Sequence, residues 1–317
     1  MPGSSLRTTG VATFLCALVV PIGISGCSSN GGGDNASDST AGSRGECPTT
    51  PVNVVVSVDQ WGDIVSELGG GCAMVTTVLA SSSVDPHDYE PSPADAATFA
   101  NAQLVVVNGA GYDSWASKFA ATSAPGAPVV DAGTVTGTAA GSNPHLWYLP
   151  AAVTAVSDAV TEQLSALAPD AKSYFAEQRA AFTTSMEPYD KLLAEIQSGA
   201  SGMTYGATES VFDYTAEDIG LVNKTPAGYQ TASANESEPS PADLEAFSRA
   251  LANREIDVLI YNTQTEGSIP ERIRAAAEAA GIPVVDVTET VPQGTTSFPD
   301  WQVDQLTRLA KALGVNG

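Results

Sequence analysis

The sequence is poor in basic residues, histidine and cysteine, and each shortage closes off a class of function. Its 317 residues hold 13 Lys and Arg against 36 Asp and Glu, a formal net charge of −23. A chain so short of cationic side chains lacks the basic footprint that nucleic acid requires. Its negative field suits a protein that meets cations, although acidity also serves solubility alone. There are four cysteines and no C-x-x-C pair, so a cysteine-based metal site is not expected. HExxH, G-x-S-x-G, a P-loop and the Rossmann glycine pattern are all absent, which removes the common enzyme signatures. No segment beyond the N-terminal one reaches the roughly 20 apolar residues of a membrane-spanning helix. Only two histidines occur, His87 and His145.

The first 27 residues read as an address. Arg7 supplies a positive start, and Val11 to Ile24 is a mostly apolar run interrupted by Pro21 and Gly23. Such a run fits a secretory signal rather than a spanning helix. It ends at Ile24-Ser25-Gly26-Cys27, which resembles the bacterial lipoprotein cleavage box, so Cys27 is the expected lipidation site. A plain secretory signal with an incidental cysteine is the alternative. Residues 28–47 follow as a tether rich in Ser, Gly, Asn and Asp, too polar to offset the entropy of ordering. Cys47 and Cys72 would then lie in an oxidising compartment, where a disulfide persists. A bridge closing a loop of about 25 residues stabilises by roughly 3 kcal/mol. Two buried free thiols are the other reading.

Hydrophobic patterning predicts an α/β fold. Val52 to Val58 is a β-branched run that reads as a buried strand, followed by a helix over Gln60 to Leu68 that ends at Gly69. Further strands are expected at Met74 to Leu79, Leu104 to Val107 and Val129-Val130, with a short helix from Ser92 to Asn101. Alternating strands and helices imply a parallel sheet covered on both faces. The stretch from Pro150 to Gln197 is helical in composition but carries Pro169 and Pro188. Unbroken, about 35 to 45 helical residues would extend about 50 to 70 Å, a strut between lobes. The pattern then returns: strands at Met203 to Gly206, Val258 to Tyr261 and Val284 to Val287, and helices at Val211 to Ile219, Ser240 to Ala252, Pro270 to Ala280 and Trp301 to Leu313. The expected organisation is a signal (1–27), a tether (28–47), an N-terminal lobe (48–149), a linking long helix (150–199) and a C-terminal lobe (200–317).

One internal echo stands out. Glu90-Pro91-Ser92-Pro93-Ala94-Asp95 recurs as Glu238-Pro239-Ser240-Pro241-Ala242-Asp243. Each copy opens a predicted helix that leads into a strand. Two lobes of like architecture, by duplication, explain this simply; convergence on Ser-Pro-x-Asp capping chemistry is the alternative.

Both histidines follow a proline in predicted loops, in Asp85-Pro86-His87-Asp88-Tyr89 and Asn143-Pro144-His145-Leu146-Trp147. Proline stiffens such loops, and neutral imidazole is the commonest transition-metal ligand. Ligands of open α/β sheets gather beyond the carboxyl ends of the strands. A third ligand from the second lobe is expected at Glu209, just past a strand and at a helix start, where the helix dipole favours a carboxylate.

These features together resemble the zinc/manganese solute-binding proteins of ABC importers. The resemblance rests on the lipoprotein box, DPHDYEPSP, NPHLWYLP, the long middle helix, GATESVFDY, NESEPSPADL and a C-terminal helix containing Trp301. It covers nearly all of the chain after the signal. It implies two α/β lobes joined by a long backbone helix, with one metal in the cleft between them. It also implies His87 as first ligand, His145 as second and Glu209 at a position that takes His or Glu. The fourth position is a departure: alignment on Trp301 puts Thr296 where an Asp is usual, which leaves Asp300, Glu289 or water. The histidine-rich acidic loop of many zinc members is missing. Zinc is the expected cargo and manganese the next, since two imidazoles with one or two carboxylates suit either. The implied partners are an ABC permease, its ATPase and a membrane reached through lipid, with no nucleic acid and a monomeric receptor on the outer face of the cytoplasmic membrane. No catalysis is expected. A zinc-dependent hydrolase and a surface adhesin with an incidental metal site are the rival readings.

Overall fold

The structure is a computed structural model that describes residues 46–80, 89–235, 237–265 and 267–315. The expected signal, Cys27, nearly all of the tether and His87 lie outside those residues. The described residues all belong to one compact unit, residues 44–317. No helix among them is long and apolar enough to cross a membrane.

The first sheet forms from β1 (Val52–Val58), β2 (Ala73–Leu79), β3 (Leu104–Val107) and β4 (Val129–Asp131), in the order β2-β1-β3-β4 and parallel throughout. The valines of β1 and β3 are almost wholly buried, as central strands covered on both faces require. Between β1 and β2 runs α1 (Asp59–Gly69), whose Trp61, Ile64, Val65 and Leu68 recur at helical spacing and turn one buried stripe to the core. Cys47 and Cys72 form the expected disulfide, with Cα atoms 5.0 Å apart. Helices α2 (Pro93–Thr98), α3 (Ser114–Ser123) and α4 (Ala132–Thr136) complete the connections.

The middle stretch is three helices rather than one: α5 (Pro150–Leu167), α6 (Lys172–Ser185) and α7 (Glu187–Ala200). The chain breaks at Pro169, and α5 packs on α6, α1 and α4, within the first lobe. At Pro188 it does not break. That proline occupies the second position of α7, where its missing N–H leaves no bond unmade within the helix's first turn. Met186 donates its N–H to Phe182 (3.1 Å) and accepts from Asp190 (3.0 Å), so the hydrogen-bond ladder passes from α6 into α7. The linking rod is therefore residues 172–200, shorter than the expected 150–199. Its first half packs on α1 and its second half on the C-terminal helix.

The second sheet comprises β5 (Thr204–Ala207), β6 (Val222–Asn223), β7 (Val258–Asn262) and β8 (Val284–Val287), in the order β6-β5-β7-β8 and again parallel. Its helices are α8 (Asp213–Asp218), α9 (Ala227–Ala234), α10 (Pro241–Ala252), α11 (Ser268–Ala280) and α12 (Phe298–Ala312). The helix expected over Val211 to Ile219 is a 3-10 turn at Ser210–Phe212 followed by the short α8.

The repeated hexapeptide occupies equivalent places in the two sheets. Ser92 caps α2, which leads into β3, and Ser240 caps α10, which leads into β7; β3 and β7 hold the same rank in their sheets. The Ser92 Oγ accepts from the Asp95 N–H while Asp95 Oδ2 accepts from the Ser92 N–H, a reciprocal cap.

A single buried cluster runs through both lobes, from Val54 and Val106 through Tyr148 and Tyr189 to Val258, Ile260 and Trp301. Tyr148, fully buried, donates its hydroxyl toward Thr288 O (2.7 Å) and Gln305 Oε1 (2.8 Å), and its own carbonyl accepts from Thr215 Oγ1 (2.6 Å). The segment that carries His145 is thereby docked onto the second lobe.

Candidate metal centre

Four strand ends converge on one polar cleft. Tyr112 follows β3, Glu209 follows β5, Asn262 closes β7 and Glu289 follows β8. All lie at carboxyl ends, where parallel sheets collect ligands. His145 joins them from the loop ahead of α5. A cavity of about 410 Å³ between the lobes is lined by Tyr112, Asn143, His145, Glu209 and Asp213, among others.

The first lobe presents Tyr112 and His145 from two loops that brace each other. The loop after β3 runs through positive φ at Gly109 (69°), Ala110 (54°) and Gly111 (97°). A Cβ on Gly109 would also meet Asp131 Oδ1 at 2.1 Å, so only glycine fits there. Asp113 holds the turn by accepting from the N–H groups of Asn108 (2.6 Å) and Gly109 (2.8 Å). Asn108 in turn donates to Pro144 O (2.9 Å), which ties this loop to the histidine loop.

His145 is 2% exposed. Its Nδ1 lies 2.7 Å from Asn143 Oδ1, while Asn143 Nδ2 donates to Ser210 O (2.8 Å) in the second lobe. That second bond fixes the amide so that its oxygen faces the imidazole. Nδ1 therefore carries a proton and donates to the amide, which leaves Nε2 as the nitrogen turned to the cleft, the orientation of a metal-ligating histidine with an outer hydrogen-bond partner. Nε2 points toward Glu289, with Oε2 at 3.5 Å.

Glu289 is fully buried. Its Oε1 accepts from Asn262 Nδ2 (2.9 Å) and its Oε2 from the Tyr112 hydroxyl (3.0 Å). Its backbone N–H and that of Thr290 both donate to Gln264 Oε1, at 2.7 and 3.0 Å. Burial, with the Glu289 charge beside it, holds the Tyr112 hydroxyl well above the ordinary phenol range, so it stays a donor. Glu209 Oε2 accepts from the same Asn262 amide nitrogen (2.7 Å) and from the Thr265 hydroxyl. Burial pushes the nearby Asp213 carboxyl up to about 6, against the lowering effects of the Tyr205 hydroxyl, which donates to it, and of His145.

Of the residues expected from sequence, His145 and Glu209 line the same cleft, and His87 lies outside the described residues. Asp300 is elsewhere: it is exposed at the N-terminus of α12, accepts from the Thr296 hydroxyl and takes Ser297 Oγ as the acceptor for its own N–H. It lines a different depression, with Pro292 and Arg308. The buried carboxylate beside His145 is Glu289, the other candidate for the fourth position. Among the described residues no three His, Cys, Asp or Glu side chains are grouped closely enough to hold a metal ion, so any complete shell draws on His87 or on movement. Tyr112, Asn143, Asn262 and Thr265 were not legible as site residues. The one available signal was position, since Tyr112, Asn262 and Thr265 fall at or just past the carboxyl end of a predicted strand.

A family model described as the zinc-uptake complex component A, periplasmic (ZnuA), matches residues 54–312. The high-affinity zinc uptake system protein ZnuA of Bacillus subtilis (strain 168) is 23% identical over 215 residues, covering 62% of this chain and 66% of that protein. The zinc-binding lipoprotein AdcA of Streptococcus pneumoniae serotype 4 is 22% identical over 283 residues, covering 83% of this chain and 55% of that protein. The chain thus spans between about half and two thirds of the length of these relatives. Among solved structures, the binding protein FpvC of Pseudomonas aeruginosa in complex with Mn²⁺ superposes with a TM-score of 0.70 at 20% identity, over 84% of this chain and 100% of that one, and so shares the fold. With a family model spanning both lobes, the chain belongs to the family of the periplasmic zinc-uptake component A.

Proposed function

We propose that this protein is an extracytoplasmic receptor that captures one divalent transition-metal ion, zinc first and manganese next, and delivers it to an ABC permease driven by a separate ATPase. The observation that carries this reading is the approach of a buried imidazole from one lobe and two carboxylates from the other around one polar cleft. His145, Glu209 and Glu289 supply three ligands by drawing in on the ion from the places they hold here, with Glu289 taking the place expected for Asp300. His87 supplies the fourth, on the strength of its Pro-His loop and the family resemblance. The protein is a carrier and not an enzyme. It acts as a monomer and is held at the outer face of the cytoplasmic membrane by lipid on Cys27.

The test is elemental analysis of protein purified without chelator, followed by zinc titration of single variants. His87→Ala, His145→Ala, Glu209→Ala and Glu289→Ala each lower zinc affinity by at least about 100-fold, beyond the usual effect of an outer-shell residue. Asp300→Ala binds as wild type does. A wild-type protein that carries no metal and takes none up in titration ends the receptor reading. Full affinity in Glu289→Ala with loss in Asp300→Ala reverses the assignment of the fourth ligand.

A further inference from the structure

Helix α1 bonds to both halves of the proposed site. On the first-lobe side, Trp61 Nε1 donates to Asn108 Oδ1 (2.9 Å), and Asn108 Nδ2 donates to Pro144 O (2.9 Å), directly before His145. An indole N–H can only donate, so it fixes the Asn108 amide with its nitrogen toward Pro144. On the second-lobe side, Asp63 Oδ2 accepts from the N–H of Phe298, the first residue of α12. Asp59, one turn earlier on α1, takes a hydrogen bond from the Val291 backbone, two residues past Glu289.

The Asp63 bond completes the cap of α12 from the other lobe. The first amides of a helix have no acceptor within it. Here Pro299 has no amide hydrogen, and the Asp300 N–H goes to Ser297 Oγ (3.2 Å). The Phe298 N–H crosses to Asp63, a carboxylate, which the helix dipole favours at that end. Helix α12 in turn holds the residue before Glu289. Trp301 Nε1 donates to Thr288 Oγ1 (3.1 Å), and the Thr288 N–H donates to Gln305 Oε1 (3.1 Å). One line of bonds thus runs from Asp63 through α12 to Thr288, and another from Trp61 through Asn108 to Pro144. They start two residues apart on one helix and end beside Glu289 and His145, whose side chains approach to 3.5 Å.

We infer that Asp63 is a positioning residue for the metal centre: it seats α12, and with it the Glu289 loop, on the helix that also seats the His145 loop, and so sets the spacing of these two ligands. This rests on the receptor reading above and goes beyond it, because Asp63 acts through α12 and not on the ion.

The experiment is titration of Zn²⁺, and of Co²⁺ as its visible-spectrum stand-in, on the wild type, Asp63→Ala, Asp63→Asn, Thr288→Val and Val160→Ala, with Tm recorded for each. Asp63→Ala loses the acceptor, and its zinc affinity falls by about tenfold, the scale of one hydrogen bond to a charged group. Asp63→Asn keeps an acceptor oxygen and recovers most of that loss. Thr288→Val removes the hydroxyl at the far end of the line, keeps the branched shape and also weakens zinc binding. Val160 is buried in α5 and belongs to neither line, so Val160→Ala lowers Tm and leaves zinc affinity as in the wild type. The Co²⁺ spectrum changes in Asp63→Ala and Thr288→Val, as displaced ligands require, and not in Val160→Ala. The inference is overturned if Asp63→Ala binds zinc as the wild type does, or if it weakens binding with an unaltered Co²⁺ spectrum, as a loss of stability alone would give. Should Asp63→Ala fail to fold, Thr288→Val decides between the same outcomes. A wild type that takes up neither ion refutes the receptor reading itself, and the inference with it; a wild type that binds both, with affinity and spectrum unmoved in the variants, refutes the inference alone.

Discussion

Asp59, the first residue of α1, carries a carboxyl that burial pushes up to about 7, with the Asp63 charge adding to the effect and hydrogen bonds from the Val291 and Gln60 backbones opposing it. Its ordinary value is 3.8. Below that the group is neutral in both folded and unfolded chains and carries no burial penalty. As pH rises toward 7 the unfolded chain ionises freely while the folded one resists, so folding loses stability across that window. Asp59→Asn should therefore raise stability by roughly 2 to 4 kcal/mol at pH 8 and change it little at pH 3.5, as measured by urea denaturation at the two values. Equal effects at both would show that the carboxyl ionises as it does in water. At the proposed metal centre, Asn143→Ala should weaken zinc binding by about 10- to 100-fold in titration, since it removes the bond that orients the His145 ring and the bond to Ser210 together. His145 and Glu209 were legible because imidazole and carboxylate announce their chemistry wherever they stand. Asn262 and Thr265 were not, because an amide or hydroxyl becomes part of a site only through what the fold places beside it. The fourth position was left open between Asp300, Glu289 and water for a related reason. Glu289 follows a strand while Asp300 lies in the first turn of a helix, and counting back from Trp301 measured from the helix.

At the scale of elements, the two sheets were readable from β-branched runs separated by helical patterns, and nearly every strand lies within a residue or two of its expected span. The middle segment was less so. Pro169 and Pro188 look alike in sequence, yet one ends a helix and the other sits in the first turn of the next. What separates them is where each falls relative to the ladder, which composition does not record. The rod formed by α6 and α7 depends on Met186 keeping both of its bonds. Met186→Pro removes the bond to Phe182 and sets the ring against that carbonyl, which should destabilise the protein by about 3 kcal/mol or more in chemical denaturation. No loss would mean that the rod tolerates a break and does not join the lobes rigidly.

At the scale of the whole molecule, the lobes share one hydrophobic cluster, so they should melt in a single calorimetric transition with equal calorimetric and van't Hoff enthalpies. Tyr148→Phe deletes the hydroxyl that reaches Thr288 and Gln305 and should lower stability by roughly 1 to 3 kcal/mol without splitting that transition. Two separate melts in the wild type would show that the cluster does not couple the halves. Reduction of the Cys47–Cys72 bridge should cost about 3 kcal/mol in the same experiment. That bridge has a mechanical side as well. β1 is an inner strand, and Cys72 sits where α1 gives way to β2. Tension on the chain ahead of Cys47 is therefore divided at the sulfur bridge, part passing along β1 and part into the turn before β2. A molecule tugged from its leading end resists as two strands clamped together rather than unravelling one thread at a time.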